Sequence, residues 1–247
     1  MSGVRPGAAR APEPRHGGDA PAAIVRAHAV QAVFFDLDGT LADTAEDLAA
    51  PINAMRAERG LAALPLEALR PHASHGARGL IGRGLDVRAD DERFEALRAE
   101  FLARYEAALC VRTRLFDGAL PVLDALERAG IAWGVVSNKA ERYVRPILAG
   151  LGLLGRARVA IGGDTTAFAK PHPQPLLTAA RQSGVEPSRS VYVGDDLRDV
   201  QAAHAAGMLA VVAAYGYCGD APAPHEWGGD AAIGSLGQLL AVIGLQG

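Results

Sequence analysis

Cysteine is nearly absent from this chain: Cys110 and Cys218 are the only two among 247 residues, far apart and without metal-binding spacing. That argues against a disulfide framework and fits a reducing compartment. Long apolar runs are missing too. Nothing approaches the roughly 20 consecutive apolar residues of a membrane-spanning helix, and the first thirty residues lack the apolar block of a secretory signal. The expectation is a cytoplasmic protein with no membrane partner. An excess of one charge sign is also lacking: 25 Lys and Arg stand against 28 Asp and Glu, a formal net charge of -3. No nucleic-acid surface or polybasic anchor is therefore expected, and the partner is a small molecule. Residues 1–30, rich in Ala, Gly, Pro and Arg, have too few large apolar side chains to offset the entropy of ordering. They are expected to form a disordered tail.

The sequence as a whole is 49% hydrophobic and 21% charged, ordinary for a globular protein with a real core. Val33 to Phe35 reads as a buried strand. Helical patterns follow at 45–59 and, more strongly, at 91–109, where Phe94, Leu97, Phe101, Leu102, Tyr105 and Leu109 form one stripe. No convincing strand falls between Asp47 and Leu115. Strands and helices then alternate: helix 120–129, strand 132–136, helix 140–148, strand 158–161, helix 174–183, strand 190–193, helix 197–206 and strand 209–213. The pattern is that of an α/β protein with a doubly wound, mostly parallel, Rossmann-like sheet. A helical insert follows the first strand, where it can fold over the carboxyl edge of the sheet as a lid. The expected division is a core of residues 31–46 and 116–247 with a helical cap of residues 47–115. The last stretch, from Ala221, reads as loop with a closing helix near 236–243.

Four motifs carry the chemistry, three of them directly after apolar strands, at the sheet edge where such folds bind ligands. The first is Asp36-Leu37-Asp38-Gly39-Thr40. A carboxylate at a strand end can attack phosphorus to give an acyl phosphate, the place Asp36 occupies. A second acid two residues on, Asp38, can protonate the leaving alkoxide and later take a proton from water. Gly39 permits the sharp turn and Thr40 adds a hydroxyl. Ser137 and Asn138 follow a strand at a helix start, where a hydroxyl and backbone N–H groups can hold phosphate oxygens. Lys170, stiffened by Pro171 and Pro173, offers an ammonium for the negative charge of the transition state. Finally, Gly194-Asp195-Asp196-Leu197-Arg198-Asp199 places Asp195 and Asp199 four apart at a helix start, suited to a hard cation. Each motif alone has an ordinary structural reading as a turn, cap or loop; their joint occurrence on successive strands describes a phosphate site.

This set, in this order, resembles the haloacid dehalogenase superfamily of phosphatases over about residues 33–212. The resemblance implies a magnesium-dependent phosphomonoesterase with Asp36 as nucleophile, Asp38 as acid/base, and Ser137 and Lys170 as phosphate ligands. Mg²⁺ would be held by the Asp36 carboxylate, the Asp38 carbonyl and Asp195, with Asp199 in support, and the insert would match the family's small helical cap. Thr40 and Asn138 are further candidates for substrate binding. The second aspartate speaks against a dehalogenase. The subgroup it most resembles is phosphoglycolate phosphatase; the stretches 133–139, 194–199, Tyr215-Gly216-Tyr217 and Trp227-Gly228 look closest to N-acetylmuramic acid 6-phosphate phosphatases. Both substrates carry a carboxylate beside the ester, so a cap cation is expected; Arg78, flanked by glycines, is the candidate, with Lys139 and Arg142 also able to reach an anion. His72 and His75 are expected to be loop or cap residues. The expected partner is thus a small phosphorylated acid or sugar acid, bound by a monomer or weak homodimer. Two other readings stand beside this one. A phospho-accepting receiver domain shares the residue types but not their order, length or insert, and a sugar-phosphate mutase needs the same aspartates and is not separated by spacing.

Overall fold

The structure is a computed structural model, described for residues 30–219 and 222–245. The expected N-terminal tail lies almost wholly outside the described residues. Six parallel strands form the main sheet: β1 (Ala32–Phe35), β4 (Ala132–Val136), β5 (Ala160–Ile161), β6 (Ser190–Gly194), β7 (Leu209–Ala213) and β8 (Ala231–Ile233), in the order β5-β4-β1-β6-β7-β8. Chain progression runs outward from β1 to β4 and β5, then returns to β6 on the other side. The switch point therefore lies between β1 and β6, and open α/β sheets bind ligands at the carboxyl ends beside it.

Alternation along each strand sends side chains to two cores. Val33 and Phe35 join Trp133, Val135, Val191 and Val193 on one face, under α5 (Ala119–Arg128), α6 (Glu141–Gly150) and α9 (Gln238–Val242). Phe34 joins Val136, Tyr192, Ala210 and Val212 on the other, under α7 (Gln174–Ser183) and α8 (Leu197–Ala205). Strands buried on both faces read as continuous apolar runs, which is why they are visible in the sequence.

Between β1 and β4 lie β2 (Ala42–Asp43), α1 (Ala45–Glu58), α2 (Leu66–Ala73), α3 (Gly76–Leu85), α4 (Phe94–Ala107) and β3 (Arg114–Leu115). The four helices gather around a third core that includes Ile52, Met55, Leu69, Ile81 and Phe101, with Tyr143 of α6 reaching into it from below. Beneath them β2 and β3 pair antiparallel, Ala42 opposite Leu115 and Asp43 opposite Arg114. This corrects the expectation that no strand falls between 47 and 115: a two-residue strand is too short to show period 2, and its partner lies far away in the chain. The predicted strand 158–161 shortens to β5, and β8 lies within the stretch read as loop.

Where the chain returns from the helical layer, Asp47 of α1 ties the crossing down. Its buried carboxylate accepts the N–H groups of Val111 (3.0 Å), Arg112 (2.9 Å) and Thr113 (2.9 Å) and the Thr113 hydroxyl (2.7 Å). Three backbone donors are thereby satisfied by one side chain.

Candidate active site

Four loops at the carboxyl edge converge under the helical layer. The backbone N–H of Asp36 still bonds Val193 O (2.9 Å), so β1 runs in register with β6 to the point where its acid emerges. The carboxylate Oδ1 accepts the Leu37 N–H (2.7 Å) and meets the Lys170 ammonium at 3.1 Å. Gly39, at φ 81°, turns the chain back, and a Cβ there would overlap the Asp195 carboxylate. Glycine is thus required both by the backbone conformation and by the close approach.

Lys170 is the centre of the arrangement. Its side chain is 2% exposed and its ammonium reaches Asp199 Oδ1 (2.7 Å), Asp36 Oδ1 (3.1 Å) and the Tyr192 hydroxyl (2.7 Å), which in turn donates to Val136 O (2.6 Å). Asn138 holds the lysine's backbone from both sides: its amide donates to Lys170 O and its carbonyl accepts Lys170 N–H, each at 2.9 Å. Burial works against the ammonium, but Asp199 and Asp36 outweigh it and raise its pKa. Lys170 is therefore charged.

The ammonium pairs with two acids of a cluster of three. Asp36, Asp195 and Asp199 each offer a carboxylate oxygen, all within 4.8 Å of one another, a set that could hold a metal ion. Burial first, and then the charges of Asp36 and Asp199, push the Asp195 carboxyl well above the usual range. Its two oxygens are aimed by the Thr40 hydroxyl (2.8 Å) and the Tyr217 N–H (2.8 Å). Asp199 points one oxygen at Lys170 and accepts the Asp196 N–H on the other (3.1 Å), closing a capping box at the start of α8. Three hard oxygen donors with a surplus of negative charge fit a divalent cation.

Asp38 stands apart from that cluster. Its carboxylate accepts the Thr44 hydroxyl and meets the Lys139 ammonium at 3.0 Å. Its side chain is thus directed away from Asp195 and Asp199. Above these groups lies a cavity of about 670 Å³. Asp36, Asp38, Ser137, Asn138 and Lys170 form part of its floor, and Leu48, Arg78, Phe101 and Tyr105 part of its roof.

The other candidate residues take different places around this cavity. Thr40 is fully buried, outside the cavity lining, and its hydroxyl is taken by Asp195, so it stands behind the acids and not against a ligand. Asn138 borders the cavity, yet its side-chain amide is committed to Lys170. Lys139 is bonded to Asp38 and to the Tyr105 hydroxyl (2.7 Å), so it is no free cation. Arg78 on α3 and Arg142 on α6 both border the cavity and are exposed; Arg142 lies over the Tyr143 ring at 4.7 Å from its centroid. His75 lines it from the helix turn. Tyr192, Tyr217, Thr44 and Tyr105 belong to no motif that marks them as site residues in the sequence. Only the Tyr215-Gly216-Tyr217 stretch carried a signal: a Cβ at Gly216 would overlap Asp195 and the Gly39 carbonyl, so the small residue between two tyrosines lets this loop reach the acid.

Comparison with known proteins agrees with this geometry. Residues 33–213 match the haloacid dehalogenase-like hydrolase family. The chain is 48% identical over 209 residues to a phosphoglycolate phosphatase of Xanthomonas campestris pv. campestris, spanning 85% of this chain and 94% of that one. It is 40% identical over 214 residues to the N-acetylmuramic acid 6-phosphate phosphatase of Pseudomonas aeruginosa, spanning 87% and 95% respectively. A crystal structure described as that of a predicted phosphoglycolate phosphatase from Haemophilus somnus matches with a TM-score of 0.75 at 29% identity, over 86% of this chain and 97% of that one. Among the described residues no helix is long and apolar enough to cross a membrane. With the family's motifs gathered at one sheet edge and these relatives matched over most of their length, this chain belongs to the haloacid dehalogenase-like hydrolases and is a phosphatase.

Proposed function

We propose that the chain hydrolyses a carboxylate-bearing phosphate monoester by way of a phosphoryl group carried on Asp36. The observation that carries this reading is the division of labour between two acids on one loop. Both the Leu37 N–H and Lys170 meet Asp36 at Oδ1, which leaves Oδ2 to attack phosphorus. Asp38 has its own partners, Thr44 and Lys139, and is separate from the cluster of acids. In the first step the Asp36–phosphorus bond forms and the ester oxygen–phosphorus bond breaks, with the Asp38 proton passing to the departing alkoxide. In the second, water attacks the acyl phosphate, Asp38 recovers a proton from it, and Asp36 is freed with release of phosphate. Ser137 and Lys170 bind the phosphoryl oxygens. Asp36, Asp195 and the Asp38 carbonyl, with Asp199 in support, would hold Mg²⁺, which would supply neutralisation of the charge on the transferring group. Residues 47–115 serve as a cap that encloses the reaction.

Cavity size and lining favour N-acetylmuramate 6-phosphate over 2-phosphoglycolate. A two-carbon acid would leave most of about 670 Å³ to water, whereas an N-acetylated sugar acid can fill it and meet Leu48, Phe101 and Leu102. The substrate carboxylate is assigned to Arg78, a cation on α3 bordering the cavity. The test is kcat/KM for phosphate release from the two esters side by side with Mg²⁺, in wild type and in Arg78→Ala. A preference of about a hundredfold for the sugar acid, roughly 2.7 kcal/mol of transition-state discrimination, is expected. A comparable preference for 2-phosphoglycolate would reverse the substrate assignment. In Arg78→Ala the loss should be much larger for the carboxylate ester than for p-nitrophenyl phosphate; equal losses on both would remove Arg78 from that role.

A further inference from the structure

Lys139 is a lysine that lines a cavity and yet has a side chain only 7% exposed. Lysine is almost never so buried without a partner, and here it has two from different layers of the molecule. Its ammonium is 3.0 Å from Asp38 Oδ1, on the loop after β1, and donates to the Tyr105 hydroxyl at 2.7 Å, on α4 of the helical layer. It also lies 4.6 Å from the centroid of the Tyr105 ring. Tyr105 is itself fixed, edge-on to Tyr143 of α6 with centroids 5.5 Å apart and alongside Phe101 at 6.2 Å. The bridge between Asp38 and the helical layer is thus a single flexible side chain clamped at its tip.

We infer that Lys139 and Tyr105 are positioning residues that set the carboxylate of Asp38 only while α4 is seated on the sheet. This rests on the acid/base role proposed above for Asp38. Thr44 and Lys139 both engage Asp38 at Oδ1, which fixes the plane of the carboxyl group and leaves Oδ2 to exchange the proton. The Thr44 contact comes from the β2–α1 junction and does not depend on α4. The Lys139 contact does, because a four-carbon stem freed from Tyr105 regains its rotamers and its ammonium regains water. Closure of the layer over the substrate is thereby reported to the acid that must donate a proton.

The leaving group separates positioning of an acid from general damage. An alkyl ester needs a proton on its departing oxygen, whereas nitrophenolate departs without one, and kcat/KM covers the steps through departure. Tyr105→Phe keeps the ring and its packing and removes only the hydroxyl. It should lower kcat/KM for whichever of the two acid esters is faster about tenfold more than for p-nitrophenyl phosphate, with Lys139→Met showing the same selective loss. Asp38→Asn, measured alongside, shows how large such selectivity is when the acid is gone. If Asp38→Asn is selective and both other variants lose equally on the two substrates, the positioning role is overturned and the acid/base reading stands. If Asp38→Asn is itself unselective, the acid/base reading falls and takes this inference with it. Circular dichroism melts on each variant confirm that the folded enzyme is compared.

Discussion

Asp36→Asn is expected to lower phosphate release by more than about a thousandfold, because a carboxamide cannot form the acyl phosphate and losing a covalent nucleophile costs several orders of magnitude. The fold should not suffer. The amide oxygen can still accept the Leu37 N–H, and Lys170 keeps Asp199 and Tyr192. Removing one charge from a cluster in which Asp36 and Asp199 already raise the Asp195 carboxyl also relieves repulsion, so the melting temperature should hold or rise. Steady-state assays with thermal melts test both halves. Retained turnover above about a thousandth of wild type would sink the nucleophile assignment.

Removing divalent cations should be nearly as severe. Three acids cluster where a single ammonium pairs with two of them, and a phosphate ester brings further negative charge. EDTA should therefore abolish turnover and Mg²⁺ restore it. A second readout does not depend on activity: at about one hundred times its dissociation constant a cation bound only to the folded state adds roughly 2.7 kcal/mol of stability, a rise of several degrees in Tm. That rise should shrink in Asp195→Asn, which keeps the shape of the group and removes its charge. Full activity in EDTA, or a Tm that ignores Mg²⁺ in wild type, would refute the cation site.

How much of this was legible in the sequence depended on range. β4, α7 and β7 fall on their predicted bounds, because buried strands and a Pro-initiated helix announce themselves locally. The four motifs were likewise found from short segments, and the fold brings them to the same edge. α2 and α3 were not resolved as elements. Pro71 and the glycines at 76, 79, 82 and 84 weaken helix propensity, and what holds α3 is burial of Leu80 and Ile81 against the other helices. The supporting residues were harder still. Tyr192 looks like one more core aromatic within β6 until Lys170, 22 residues away, is seen to donate to it. Tyr105 occupies a buried position of an apolar stripe, and nothing in that stripe says that its hydroxyl meets a lysine 34 residues on. Sequence patterns report which face of an element is buried, and they are silent about which polar tip reaches across.

The knot at Asp47 has a mechanical meaning. The chain passes between the two layers twice, and the passages run side by side: β2 pairs with β3, and the first turn of α1 holds residues 111–113 by hydrogen bonds. Two threads sewn together at one seam leave a single axle in place of two independent tethers. If the upper layer moves over the site it must turn about that seam, because sideways shear would break the paired strands and the Asp47 bonds together. Among the polar contacts between the layers are the bond from Arg198 of α8 to Ser74 O between α2 and α3 (2.7 Å) and that of Lys139 with Tyr105. A door hung this way would open by parting its polar clasps while the seam at its hinge stayed shut.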